Sequence, residues 1–320
     1  MRENSGRNVV IVGAGAVGAT FAYALMLDGA AEEIVLVDRN QDLAKGQVLD
    51  LNHGRQFTQP VRIRVGTPAD YGTADVIVVT AGSAQKPGES RLDLLQRNAS
   101  IIRSIMGDIS DAQSEAVVVI VTNPVDILTQ IAVRAAGDER QRIFGSGTVL
   151  DSARFRGLIA EHCQVDIHNV HAYIIGEHGD SEVPAWSMTH IAGVPVWDHC
   201  ADCRRCHGEL RNAENREALV QQVRDSAYHI IGYKGATNFA VGLALVRIVR
   251  SILRNERSVL TVSTVLAGEY GLRDICLSVP CIVGRNGIER VVEGKLSEEE
   301  LTGLSRSGKI LHQRLAELDQ

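Results

Sequence analysis

The chain has 320 residues, 45% apolar and 22% charged, with a formal net charge of −6. That length suggests two packed domains, and the composition lies near the globular average, away from disordered or collagenous chains. The negative balance argues against nonspecific nucleic-acid binding, while leaving room for a local basic site that takes a phosphorylated ligand.

The first apolar run starts only at Val9 and stops at Gly13, too short for a signal peptide or a membrane helix. Neither a nucleic acid nor a membrane is expected as a partner. Six cysteines without a secretory signal read as reduced thiols, which points to a cytoplasmic chain.

From there to about Gly145, short β-branched runs ("NVVIVGAG", "EEIVLVD", "VRIRVG", "DVIVVTAG", "AVVVIVTNP") alternate with longer amphipathic segments. The alternation predicts a parallel sheet covered by helices. "GAGAVG" at 13–18 follows the first strand and opens the helical run "ATFAYALM"; the next strand, "IVLVD", ends in Asp38. In that context Gly13 permits a tight turn, Gly15 lets the backbone approach a pyrophosphate, and Gly18 lets helix and strand pack closely. The helix N-terminus favours the phosphate charge. Asp38 would accept hydrogen bonds from an adenosine ribose and repel a 2′-phosphate, so NAD is expected rather than NADP. The competing reading is a glycine turn whose Asp38 merely caps a helix.

Residues 83–98, "SAQKPGESRLDLLQRN", join a buried strand to a helix whose inward positions are Leu95, Ile102, Met106 and Ile109. Pro87 and Gly88 punctuate this loop, which carries an uncharged Gln85 and an isolated Arg91 and could move against its anchors. In "VVVIVTNPVDIL", Asn123 falls at a strand end, where an open α/β sheet has its ligand crevice, although an Asn-Pro pair is by default a turn.

After Gly145 the pattern shifts to longer helices, at 150–162 and 212–231, with shorter strand-like pieces such as "CIVGRNG". The expected division is therefore 1–145 and 146–320. "GTVLDSARFR" sets Asp151 and Arg154 on neighbouring helix positions, which taken alone is an ordinary surface ion pair. "AYIIGEHGDSEVP" places His178 in a short loop after an apolar run, where a proton donor or acceptor near neutral pH can be held. With ten histidines in the chain, a structural role competes with that reading. "DHCADCRRCHGEL" gathers Cys200, Cys203, Cys206 and His207, but the compressed spacing lacks separated ligand pairs. An incidental or redox-sensitive surface loop is favoured over a zinc site, and no metal is assigned. The tail, with Leu301, Leu304, Ile310 and Leu311 at helical spacing, reads as a solvated surface helix.

Taken together, "GAGAVG…VLVD", "AGSAQKPGESRLDLLQRN", "VTNPVDIL", "GTVLDSARFR", "IIGEHGDSEVP" and "KGATNFAVG" stand in the order and spacing of the L-lactate and malate dehydrogenase family. The chain resembles that family over almost its whole length, and most of all its bacterial lactate-forming members. The resemblance implies a Rossmann-type doubly wound parallel sheet followed by a mixed α/β substrate domain, usually in a homotetramer. It implies reversible reduction of pyruvate to L-lactate by NADH, with Gly13, Gly15, Val17, Gly18, Asp38, Gly82 and Asn123 at the cofactor. His178 would be the proton donor and acceptor, oriented by Asp151, and Arg154 would hold the substrate carboxylate in a two-pronged grip. Arg91 would polarise the reacting carbonyl from a mobile loop, Gln85 would face the substrate side chain, and Asn123 and Thr237 would complete the polar shell. Malate dehydrogenases typically carry arginine where Gln85 stands, so the resemblance favours pyruvate over oxaloacetate. Arg156 and His171 match an effector site for fructose 1,6-bisphosphate between subunits. A malate dehydrogenase or broader 2-oxoacid reductase is the near alternative, and a noncatalytic NAD-binding protein the distant one.

Overall fold

The computed structural model describes residues 7–83, 88, 90–203 and 207–318. Six strands, β1 (Asn8–Val12), β2 (Glu33–Val37), β3 (Arg62–Val65), β4 (Val76–Val79), β5 (Val117–Ile120) and β6 (Ile143–Gly145), pair in parallel. Between them run α1 (Ala16–Asp28), α2 (Gln41–Gly54), α3 (Arg91–Asp111) and α4 (Val125–Ala135). Every residue of β4, β5 and β6 is buried, as expected of parallel strands covered on both faces. The spatial order β3-β2-β1-β4-β5-β6 reverses direction between β1 and β4, and in such a sheet the crevice beyond those strand ends receives ligands.

The second half begins with α5 (Val149–Cys163) and continues through five two-residue strands: β7 (Val170–His171), β8 (Ile174–Ile175), β9 (Val183–Pro184), β10 (His190–Ile191) and β11 (Val194–Pro195). Next come α6 (Val196–Asp202), α7 (Ala213–Lys234) and α8 (Phe239–Leu253), then an antiparallel meander of β12 (Ser258–Ala267), β13 (Arg273–Gly284) and β14 (Gly287–Val291). The helix α9 (Glu298–Leu318) follows. The meander extends the first sheet, with Ser263 of β12 opposite Gly145 of β6, so one nine-stranded sheet runs through both halves. A smaller apolar core around Phe155, Ile159, Val170, Trp186 and Val223 anchors the remainder of the second half. Among the described residues no helix is long and apolar enough to cross a membrane.

Leu95, Ile102, Met106 and Ile109 of α3 are buried, as their spacing predicts. Three expectations are corrected. Arg91 does not sit in the loop: a capping box between Ser90 and Asp93 starts α3 at Arg91, placing that side chain on the first helical turn. The tail helix is not merely solvated, because Leu304, Leu311 and Leu315 of α9 are buried in the main core. Leu304 and Leu311 of the helically spaced set meet the core, whereas Leu301 stays exposed, and it is the packing that decides which of them dock. Cys200 lies fully buried in the smaller core rather than on a surface loop. Gln85, Pro87 and Cys206 lie outside the described residues, and no three metal-capable side chains converge among those described.

Candidate active site

The glycine turn shows why it needs glycine. Gly13 adopts φ +106°, and a Cβ there would lie 2.8 Å from Ala81 N and from Thr80 Oγ1. A Cβ on Gly18 would lie 1.9 Å from Gly13 O, so the start of α1 can press against the turn only without a side chain. Gly15 is different: nothing lies within 4 Å of where its Cβ would be, and no side chain caps the helix it starts. The first-turn N–H groups of α1 thus face an open space suited to a phosphate. At the end of β2, Asp38 Oδ2 accepts from Ala14 N at 2.7 Å and Oδ1 from Asn40 N at 2.7 Å. The carboxylate fixes the turn and, being only half-buried, still presents acceptor capacity to a ribose. Val17 packs partly buried on the core. A Cβ on Gly82 would meet Thr122 Cγ2 at 2.4 Å, so β4 and β5 run close where they leave the sheet. These residues fit a dinucleotide.

Beyond the same strand ends lies a cavity of about 570 Å³, lined among others by Arg91, Asn123, Asp151, Arg154, His178 and Glu182. Asp151 stands in the first turn of α5, where the helix N-terminus favours a negative charge. Its Oδ2 accepts from His178 Nδ1 at 2.5 Å and its Oδ1 from Arg154 Nη1 at 2.8 Å. The Asp151 side chain is 4% exposed, so its pairing with Arg154 is no surface ion pair. The sequence spacing was right about the pair and wrong about its environment. Burial opposes the charge on Asp151, yet His178 and Arg154 hold its carboxyl below the usual range. His178, 27% exposed into the cavity, is raised to about 9, chiefly by the Asp151 charge and against the effect of burial. It therefore holds a proton at neutral pH with Nε2 free of Asp151, the arrangement of a proton donor fixed in one ring orientation.

The loop that carries His178 is anchored by residues the motifs did not single out. Glu177 is buried; its main-chain N–H donates to Ser307 Oγ of α9 at 2.7 Å, and its carboxylate accepts from Ser181 and from Arg314 Nη1, the latter at 2.8 Å. Asn98 of α3, also buried, accepts from Ser83 N at 2.9 Å and donates to Asn123 O at 3.3 Å, coupling the exits of β4 and β5. Glu182 is pushed up to about 8 by burial and then by the Asp151 charge. Asp126, three residues beyond Asn123, contacts His178 directly from α4. The one charged residue in "VDILTQIAV" is the signal that could flag it, since an unpaired buried carboxylate is costly.

Two other groups stand apart. Thr237, between α7 and α8, does not line the cavity around His178. Arg156 of α5 donates from Nε to Ala172 O at 2.8 Å and lies over the Tyr173 ring at 5.1 Å from its centroid, while His171 of β7 is exposed. Burial lowers Arg156 from the usual guanidinium value.

An open glycine turn with an acid at its ribose side, set at the reversal point of a doubly wound sheet and facing a carboxylate-held histidine, marks a nicotinamide-dinucleotide-dependent dehydrogenase. Comparison with known proteins narrows this. Residues 7–145 match the lactate/malate dehydrogenase NAD binding domain, and residues 148–320 the lactate/malate dehydrogenase alpha/beta C-terminal domain. The chain belongs to the lactate/malate dehydrogenase family. It is 52% identical over 313 residues to an L-lactate dehydrogenase of Treponema denticola, and 48% identical over 313 residues to one of Acetivibrio thermocellus, each match covering 98% of both chains. Among solved structures, a lactate dehydrogenase from a Medee basin deep-sea metagenome library superposes with a TM-score of 0.95 at 37% identity, covering 99% of this chain and 100% of that one. The ligand-bound minor L-lactate dehydrogenase of Enterococcus mundtii gives a TM-score of 0.93 at 40% identity, with 98% of each chain covered.

Proposed function

We propose that the protein is an L-lactate dehydrogenase that interconverts pyruvate and L-lactate. The observation that carries this reading is the Arg154–Asp151–His178 chain inside the cavity beyond the nucleotide turn. Bound NADH supplies hydride to the substrate carbonyl carbon, and NAD+ accepts it in reverse. Gly13, Gly15, Val17, Gly18, Asp38, Gly82 and Asn123 hold the dinucleotide. His178 gives its Nε2 proton to the carbonyl oxygen as negative charge develops there, and Asp151 stabilises the imidazolium and keeps Nδ1–H turned toward itself. In the oxidation direction neutral His178 takes the hydroxyl proton. Arg154 offers the substrate carboxylate the guanidinium edge that Asp151 leaves unused. Arg91, from the first turn of α3, places positive charge toward the oxyanion, and Asn123 adds a polar contact.

Gln85 supplies no cation for a second carboxylate. Desolvating an unpaired carboxylate costs on the order of 2–5 kcal/mol, which favours pyruvate over oxaloacetate. The relatives named L-lactate dehydrogenase support the same preference. In this reading Arg156 and His171 bind phosphate groups of fructose 1,6-bisphosphate, which stabilises an active homotetramer. That Arg156 is already fixed by Ala172 and Tyr173 supports a preorganised anion contact.

The deciding experiment is NADH oxidation with pyruvate and with oxaloacetate across concentration, with and without fructose 1,6-bisphosphate. Higher kcat/KM for pyruvate and a leftward shift with the bisphosphate are expected. Preference for oxaloacetate overturns the substrate assignment, saturation curves indifferent to the bisphosphate overturn the effector site, and NADH binding without turnover returns the noncatalytic alternative.

A further inference from the structure

The mechanism above uses Asp151 to hold the His178 ring, but a ring held only at Nδ1 still moves with its backbone. Asp126 addresses that backbone. It stands in the first turn of α4, 2% exposed, on a helix buried throughout 125–133. Its Oδ2 accepts from the main-chain N–H of His178 at 2.8 Å, and its Oδ1 accepts from Ser263 Oγ of β12 at 2.5 Å. One carboxylate thus ties the nucleotide-binding half, the His178 loop and the meander at a single point. A carboxylate this deep with only two neutral donors is poorly compensated for its lost water, a cost that a purely structural hydrogen bond from asparagine or serine would avoid. The residue whose main chain it grips is the one that must hold a proton.

We propose that Asp126 is a positioning residue for His178, fixing the pivot of its main chain from α4 and setting a negative charge behind its imidazole. The inference rests on the L-lactate dehydrogenase reading given above. The groups around Asp126 are Glu177 and His178 on the loop, Ser263 on β12, and Cys276 on β13, whose Sγ lies 3.1 Å from Ser263 Oγ. From α5 and α9, Asp151 and Arg314 reach this cluster through His178 and Glu177. Burial pushes Asp126 up to about 6, opposed by the hydrogen bonds from Ser263 and His178. Its charge in turn helps raise His178, behind the larger effect of Asp151.

Asp126→Asn separates charge from shape, because the amide oxygen can still accept from His178 N–H and the amide nitrogen can donate to Ser263 Oγ. Without the charge, His178 gives up its proton more easily. The alkaline fall of pyruvate reduction and the alkaline rise of lactate oxidation should therefore move to lower pH together, a paired shift that general damage to the fold does not produce. Loss of kcat for pyruvate by about 10-fold is expected, with the pyruvate KM within about two-fold. Ser263→Ala removes the donor that fixes Asp126 Oδ1, so the carboxylate grips the His178 main chain less firmly, and kcat for pyruvate should fall about three-fold with the pyruvate KM and the NADH affinity unchanged.

The wild-type pH profiles in both directions are measured first; absence of pyruvate turnover there would sink the functional reading, and the inference with it, before any variant is compared. An Asp126→Asn enzyme with ordinary NADH affinity and wild-type alkaline limbs overturns the inference. Should that variant fail to fold, Ser263→Ala decides alone: a wild-type kcat overturns the inference, and a lowered kcat with unchanged pyruvate KM and NADH affinity supports it.

Discussion

In the nucleotide-binding half, the turn from Gly13 to Gly18 is tied to the ends of β2 and β4: Gly13 N–H donates to Val37 O, Ala14 N–H donates to Asp38 24 residues along the chain, and Thr80 Oγ1 donates to Gly13 O from 67 residues away. In the catalytic half, His178 meets Asp151 across 27 residues and Asp126 across 52, while Glu177 meets Ser307 and Arg314 across 130 and 137. A site of the first kind is complete once β1, β2 and β4 have paired. A site of the second kind exists only when the whole sheet and α9 have docked, so its precision depends on contacts far from the chemistry. Damage to the second should therefore cost turnover while leaving NADH binding intact, and damage to the first should do the reverse.

The sharpest separation is expected from His178→Ala, which should lower kcat for pyruvate about 10³-fold while leaving the NADH dissociation constant within about two-fold. Fluorescence titration of NADH beside steady-state turnover checks both; a large loss of NADH affinity would break the division. Asp151→Asn comes next, with about a 10²-fold loss of kcat. Because His178 is raised to about 9 mainly by the Asp151 charge, the proton donor is present below that pH and lost as pH rises through it. In Asp151→Asn the alkaline fall of pyruvate reduction should move to lower pH, and a fall still near pH 9 would show that another charge dominates. Gly18→Ala probes the other half: a Cβ 1.9 Å from Gly13 O must push the turn apart, costing about 1–3 kcal/mol of stability and about 10-fold in NADH affinity. Thermal melts and NADH titration read these, with kcat at saturating NADH expected to stay near wild type. The smallest effect is assigned to Arg314→Ala, which leaves the buried Glu177 carboxylate without its cation. A fall of about five-fold in kcat is expected, with NADH affinity unchanged; full activity would show that the loop holds its place without Arg314.

The same difference in reach governs what could be read before folding. The strand, glycine turn and Asp38 follow one another within a single βαβ unit, so their spacing alone carries their chemistry. His178 and Asp151 could be paired only through resemblance to a family, because no spacing rule spans a loop and a helix in different parts of the chain. Arg91 was assigned to a loop because Pro87 and Gly88 dominate the local pattern, although the Ser90–Asp93 box three residues apart is itself a helix start. In the tail, the helical spacing of Leu301, Leu304, Ile310 and Leu311 gives the apolar face but not its partner, and only Leu304 and Leu311 of these are buried. Asp126 stands inside "VTNPVDIL", where a lone acid after Asn-Pro has the pattern of ordinary helix-start chemistry and nothing in its spacing points to His178.

The pairing of Ser263 with Gly145 has a consequence for synthesis. As the chain leaves the ribosome, the six parallel strands are complete when β6 emerges, but β12 follows only after about 110 further residues, or roughly 5–20 s of translation. During that interval β6 is the open border of a finished sheet, the kind of border that recruits strands from neighbouring chains. Its span of three residues, Ile143–Gly145, gives a passing nascent chain little to grasp.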